Sequence, residues 1–181
     1  MALIPNQILT RTVFRKVRSR QGWLHLDPKE DLSLIACVER HRGTGNIGLG
    51  LVSGFGPLQG AMASSVAHDS HNIIAAGTDV SDIFLAVKTV RQLKGGLAVT
   101  AQERVLASLP LPVAGLMTDQ AAEEVAAEKQ ALLRAARSIG CTMPNPFMTL
   151  SFLALPVIPE LKITDRGLVD VNRFALVSLF E

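Results

Sequence analysis

Residues Gly60 to Thr78 read GAMASSVAHDSHNIIAAGT, and this stretch decides the fold. Small and apolar residues lead in (Ala61-Met62-Ala63) and lead out (Ile73-Ile74-Ala75-Ala76). Between them lie Ser64, Ser65, His68, Asp69, Ser70, His71 and Asn72. Short apolar runs bounded by polar turn formers read as buried strands. The stretch therefore predicts a strand, a polar turn and a second strand. Two imidazoles, a carboxylate and a carboxamide would then sit at one end of a sheet. Residues with chemical potential on a loop held by a rigid scaffold suit a functional site. The same Ser, Asp and Asn side chains also suit capping of nearby backbone groups.

His68 and His71 are three residues apart. On a turn or a helix two such rings converge; on a straight strand they point to opposite sides. With Asp69 they suit a transition metal. A catalytic metal centre usually takes three protein ligands, however, and His25 and His41 are remote in sequence. Acid/base work or hydrogen bonding to a substrate fits the pair better. Ser64, Ser65, His68, Asp69, His71 and Asn72 are thus the candidates for touching substrate or for supporting groups that do. His68 and His71 are weak metal candidates, and no residue is assigned a catalytic role. No GxSxG surrounds Ser64 or Ser65, so a serine-hydrolase elbow is absent.

Upstream, Leu32, Leu34, Ala36 and Val38 alternate with Ser33, Cys37 and Glu39, which predicts a half-buried strand. It runs into a charged corner, Glu39-Arg40-His41-Arg42, and then Gly43-Thr44-Gly45-Asn46-Ile47-Gly48. That hexad matches GxGxxG, but a dinucleotide fingerprint needs its third Gly to open a helix. Here Leu49 to Pro57 adds three glycines and a proline, which cannot sustain one. Before residue 32 the chain reads as an irregular lead-in with short strands at Thr12-Val13-Phe14 and Trp23 to Leu26.

Downstream, Asp79 or Ser81 caps a helix whose stripe is Ile83, Val87, Val90 and Leu93, ended by Gly95-Gly96. Leu97–Thr100 and Arg104–Leu109 predict a hairpin around Ala101-Gln102-Glu103. The longest helix spans roughly 120–139, capped by Thr118 or Asp119. Val125, Leu132, Leu133, Ala136 and Ile139 share one face, and its acidic and basic halves suit the macrodipole. Pro144-Asn145-Pro146 predicts a turn, followed by an apolar run to Leu155. A hairpin around Asp165-Arg166-Gly167 and a strand over Phe174 to Phe180 close the chain.

At 181 residues and 48% hydrophobic, the chain is long and apolar enough for one buried core, and too apolar for disorder. No apolar run is long enough to span a bilayer, so no membrane partner is expected. Two cysteines without pairing or metal-ligand spacing suit a reducing, cytoplasmic setting. The net charge of +2 hides an asymmetry, since residues 1–26 carry five basic side chains and no acidic one. The acidic body behind this arm argues against nucleic acid, and the arm reads as a basic lead-in or linker to the domain at 27–181.

Four strings carry a resemblance. They are ERHRGTGNIGLGLVSGFG from Glu39, the stretch quoted first, LPLPVAGLMTD from Leu109 and PFMTLSFLALPVIPELKITDRGLVDV from Pro146. In this order they resemble the C-terminal domain of bacterial adenine deaminases, of the amidohydrolase superfamily. The likeness implies hydrolysis of adenine to hypoxanthine and ammonia, in purine salvage or catabolism. It implies an α+β fold for this part, mainly an antiparallel sheet covered by helices, in agreement with the strands and helices above. It also implies a partner: a catalytic TIM barrel whose divalent metal (manganese, iron or zinc) is held by an early His-x-His motif and further ligands. This chain contains no His-x-His and is too short to hold that barrel as well. The resemblance therefore implies an accessory domain working with a fused or separate barrel, with no cofactor of its own and adenine as a candidate ligand. An apolar surface left by a missing barrel would make the isolated chain a homo-oligomer. The alternative is a free-standing purine-binding or structural module without catalysis.

Overall fold

A computed structural model describes residues 1–180 (the backbone alone at Arg20 and Trp23). The chain begins with β1 (Ala2–Leu3), β2 (Thr10–Arg11), β3 (Arg18–Arg20) and β4 (Trp23–His25). The main strands follow: β5 (Ser33–Val38), β6 (Ile47–Val52), β7 (Ala61–Ser64) and β8 (Ile73–Gly77). Helix α1 (Val80–Gln92) leads to β9 (Gly96–Ala101) and β10 (Arg104–Pro110). Two helices, α2 (Ala122–Ser138) and α3 (Pro146–Phe152), precede β11 (Leu161–Thr164), β12 (Gly167–Asp170) and β13 (Ala175–Val177).

The quoted stretch forms the centre of the sheet, as its two apolar runs predict. β7 and β8 pair antiparallel, Ser64 opposite Ile74 and Ala61 opposite Gly77, and every residue of both strands is buried. Six strands in the order β10-β9-β7-β8-β5-β6 make one wholly antiparallel sheet. On one face, the alanines at 61, 63, 75 and 98 present so little bulk that α1 packs close with Ile83, Ala86 and Val90. The other face carries Met62, Ile74, Val99, Ile35 and Cys37. It is covered by α2, α3 and the three-stranded sheet β11-β12-β13. The fold is α+β, as expected.

Several elements differ from the expectation, each for a local reason. β5 is not half-buried: it lies between β8 and β6, so Ser33, Ile35 and Cys37 are buried as deeply as Ala36. The hairpin turn after β9 has only two residues, because Ala101 pairs with Arg104. Gln102 and Glu103 adopt positive φ there, where glycine or asparagine is usual. The buried Asp82 carboxylate accepts both of their N–H groups, at 3.1 and 2.8 Å. The α2 helix starts at Ala122 without a side-chain cap, since Thr118 Oγ1 accepts from Gln120 N instead. The apolar run after Pro146 is helix α3, with proline at its first turn, where no N–H is required. Thr12 to Phe14 is not a strand, and the pairing falls on Thr10–Arg11.

The first dozen residues are bound to the body. Leu3 N donates to Ser53 O and Ser53 N to Met1 O. Buried Thr10 donates through Oγ1 to Leu161 O (2.7 Å), while Lys162 Nζ donates to Ile8 O (2.7 Å).

Candidate functional site

The β7–β8 loop hangs at one end of the large sheet, and its buried half is committed to internal contacts. Ser64 Oγ accepts from Val66 N at 2.9 Å. Ser65 Oγ donates to Gly115 O (2.6 Å) and accepts from Gly96 N (2.8 Å), which ties the loop to β9 and to the turn before α2. Asn72, only 4% exposed, donates through Nδ2 to Asp165 Oδ1 in the β11–β12 turn and accepts from Arg40 N. Two serines and an asparagine at these positions thus fix the loop's shape.

The outer half is what solvent reaches. The rings of His68 and His71 meet edge to face with centroids 5.7 Å apart, and His68 also lies tilted against Phe152 of α3 at 4.7 Å. The Asp69 carboxylate is 85% exposed and stands 3.9 Å from His68 Nδ1. His71 adopts positive φ, and its Nδ1 accepts from Ala67 N at 3.3 Å, so that nitrogen carries no proton. Partial burial, then the neighbouring His68 and Arg40, hold the His71 pKa below its ordinary 6.5.

Three residues of this site were not singled out from sequence. The β5–β8 register, Val38 opposite Ile73, carries the charged corner 39–42 alongside the loop. Arg40 Nε donates to His71 O, and its Nη2 donates to Ala114 O at 2.8 Å. A Cβ at Gly115 would stand 2.6 Å from that nitrogen, so glycine lets the guanidinium lie on the turn. His41 Nε2 bonds Ser70 O at 2.7 Å, which brings a third imidazole to the rim. The signal was available: a strand paired antiparallel with β8 must end beside the residues that precede it. Glu39 completes the corner by accepting from the N–H groups of Thr44, Arg42 and His41, which holds its carboxyl down at about 2.

This arrangement supplies hydrogen bonds and proton transfer at an exposed rim. Among the described residues no group of three His, Cys, Asp or Glu converges to hold a metal ion. Among these residues His68 and His71 have no third ligand, so the donor set does not fit a resident metal. Cys37 is buried, with its thiol pushed up to about 12, chiefly by desolvation, and is no nucleophile. A cleft of about 770 Å³ lies elsewhere, between the N-terminal segment and the last hairpin, and no loop residue lines it.

Fold and loop together define an α+β domain whose six-stranded antiparallel sheet carries an exposed polar rim at one end. The chain belongs to the adenine deaminase C-terminal domain family, whose model matches residues 7–175. It is 56% identical over 179 residues to an adenine deaminase of Desulfatibacillum aliphaticivorans, covering 99% of this chain and 32% of the relative. Another, from Methanothrix thermoacetophila, is 51% identical with the same coverage. A third, from Dehalococcoides mccartyi, is 50% identical across 97% of this chain and 31% of its own length. The chain therefore spans about a third of the length of these relatives, in which the domain is part of a longer polypeptide. The family match begins at residue 7, inside the basic segment.

Proposed function

We propose that this chain serves as the accessory domain of an adenine deaminase, which converts adenine and water to hypoxanthine and ammonia. The single observation that carries the reading is the family match across the chain, joined to relatives three times its length that bear that name. The rim fits this role. His68, Asp69 and His71 offer hydrogen-bonding groups outward, while Ser64, Ser65, Asn72 and Arg40 hold the loop from behind. In this reading the rim meets the larger, catalytic part of the enzyme, a metal-dependent barrel, and closes or supports its active site. Adenine chemistry belongs to that larger part, and the domain contributes shape and hydrogen bonds.

The test is a chimera in which this chain replaces the matching third of the D. aliphaticivorans enzyme. The chimera should release ammonia from adenine, and the 181-residue chain alone should not. A folded, metal-loaded chimera without turnover would count against the reading, and so would turnover by the chain alone. His68→Ala and His71→Ala in the chimera should lower turnover by about tenfold or more if the rim meets the active site. Unchanged turnover would leave them as interface residues only.

A further inference from the structure

β6 is an edge strand, and its outward side is open. Bonds between Glu39 N and Asn46 O set the alternation, so 48, 50 and 52 pair with β5 and 47, 49 and 51 point their backbone groups outward. Among the described residues nothing bonds the backbone N–H or C=O of Ile47 or Leu49 on that side. Their side chains are also exposed, at 57% and 45%. An open, apolar edge is a template for another strand.

The start of such a strand is already in place. Met1 N donates to Leu51 O at 2.8 Å, Ser53 N donates to Met1 O, and Leu3 N donates to Ser53 O. These three bonds are the evenly spaced pattern of a parallel ladder, with Ala2 opposite Ser53. The Met1 ammonium is buried at the sheet edge with this one carbonyl partner, and burial lowers its pKa. An amide N–H makes the same bond without burying a charge. Met1 and Leu51 also line the cleft of about 770 Å³, whose opposite wall is Thr12 to Val17, where the chain continues from β2. β2 pairs antiparallel with β1, Ala2 opposite Arg11, so β1 lies between β2 and the end of β6.

We propose that this cleft and the β6 edge receive the polypeptide that leads into this domain in the longer adenine deaminases, as a parallel strand continuing β1. The inference rests on the reading of the chain as one part of such an enzyme. The family is that of a C-terminal domain and the relatives are about three times as long, so in them a longer stretch enters on this side. The ladder fixes the register. The second, fourth and sixth residues before Met1 accept from Leu51 N, Leu49 N and Ile47 N, and the second and fourth donate to Leu49 O and Ile47 O. The first, third and fifth stand opposite Leu51, Leu49 and Ile47 on their exposed face, and are apolar.

Amide hydrogen exchange at Ile47, Leu49 and Leu51 tests this, in the 181-residue chain and in the chimera described above. In the chimera these three amides should slow by about tenfold or more, beyond any change in the β7 and β8 amides. A second chimera, with proline at the second and fourth positions before Met1, should lose that protection, since proline removes the two N–H groups that would donate to Leu49 O and Ile47 O and so hold the strand on the edge. Fast exchange at Ile47 and Leu49 in the first chimera overturns the proposal. Concentration-dependent protection in the chain alone also overturns it, because a second copy then occupies the edge. Adenine turnover is a separate readout. Turnover with an unprotected edge defeats this inference alone, and protection without turnover defeats only the enzymatic reading.

Discussion

Arg40 holds the carbonyl of His71 from across the sheet end, through Nε, thirty-one residues earlier in the chain. Its other arm reaches Ala114 O at 2.8 Å, so one guanidinium joins three segments that are distant in sequence. Planar donors spaced in a fixed fork make this possible, and a lysine has no such fork.

Arg40→Ala should therefore cost about 1–3 kcal/mol, as expected for lost hydrogen bonds to a charged group. Arg40→Lys should recover little of it. Urea unfolding gives the energy, and faster amide exchange over residues 67–72 locates it. A loss spread evenly over the protein, with the loop unchanged, would refute the clamp.

The loop should loosen in acid. His71 Nδ1 accepts from Ala67 N only while unprotonated, and the folded pKa lies below the ordinary 6.5. As pH falls, the unfolded chain takes up this proton first, so the stabilisation is full above about 6.5 and is lost through the lower folded value. The His71 ring should titrate below 6.5 by NMR, with Ala67 N–H exchange, corrected for intrinsic rate, quickening over the same range. His71→Ala should abolish that pH response.

Much of this was legible beforehand. Ala61-Met62-Ala63 and Ile73-Ile74-Ala75-Ala76 announced paired buried strands, and Asp79 announced the cap of α1. The polar loop was visible as a cluster, but not the division of labour within it. Whether Ser65 faces substrate or Gly115 depends on a contact fifty residues away, which no local pattern encodes. Arg40 looked like one more charge at a corner for the same reason. β5 misled because alternation marks one buried face, whereas a strand in the middle of a covered sheet buries both.

Ser65→Ala should destabilise the domain by about 1–3 kcal/mol, because it leaves the buried Gly96 N and Gly115 O without this partner. Gly95→Ala should cost more. Its φ is +122°, and a Cβ there would stand 2.2 Å from Gly115 Cα, so backbone rather than a flexible side chain has to move. Thermal unfolding of the two variants orders them, and a milder Gly95→Ala would contradict the packing described.

Asp82→Ala should unlatch the β9–β10 turn. Removing the carboxylate strands the N–H groups of Gln102 and Glu103 at positive φ, at a cost of about 1–3 kcal/mol. Gln102→Asn with Glu103→Gly, the residues this turn prefers, should recover part of the loss. No recovery would mean that the carboxylate acts through α1 instead.

Lys162 sets an alkaline signature. Burial lowers its pKa to about 8 from 10.5, so between those values the folded chain has released a proton that the unfolded chain retains. Stability therefore rises with pH across that window, by at most about 1.4 kcal/mol per pH unit from this one group. Lys162→Met should flatten the slope measured by urea unfolding at successive pH values. An unchanged slope would mean that the ammonium stays charged against Ile8 O.

The anchoring of Thr10 on Pro159 to Leu161 sets an order of events during synthesis. The β5–β10 sheet has all its strands once residue 110 is made, including both members of the longer-range pairings β5–β8 and β7–β9. The Thr10 hydroxyl and the Ile8 carbonyl, though translated well before them, lack these partners until residues 159–162 leave the ribosome. Residues 8–10 must wait while the sheet assembles, and closing so long a loop comes late in folding. A nascent chain halted before residue 159 would thus display a finished sheet, with residues 1–3 already on its edge and residues 8–10 still unfastened.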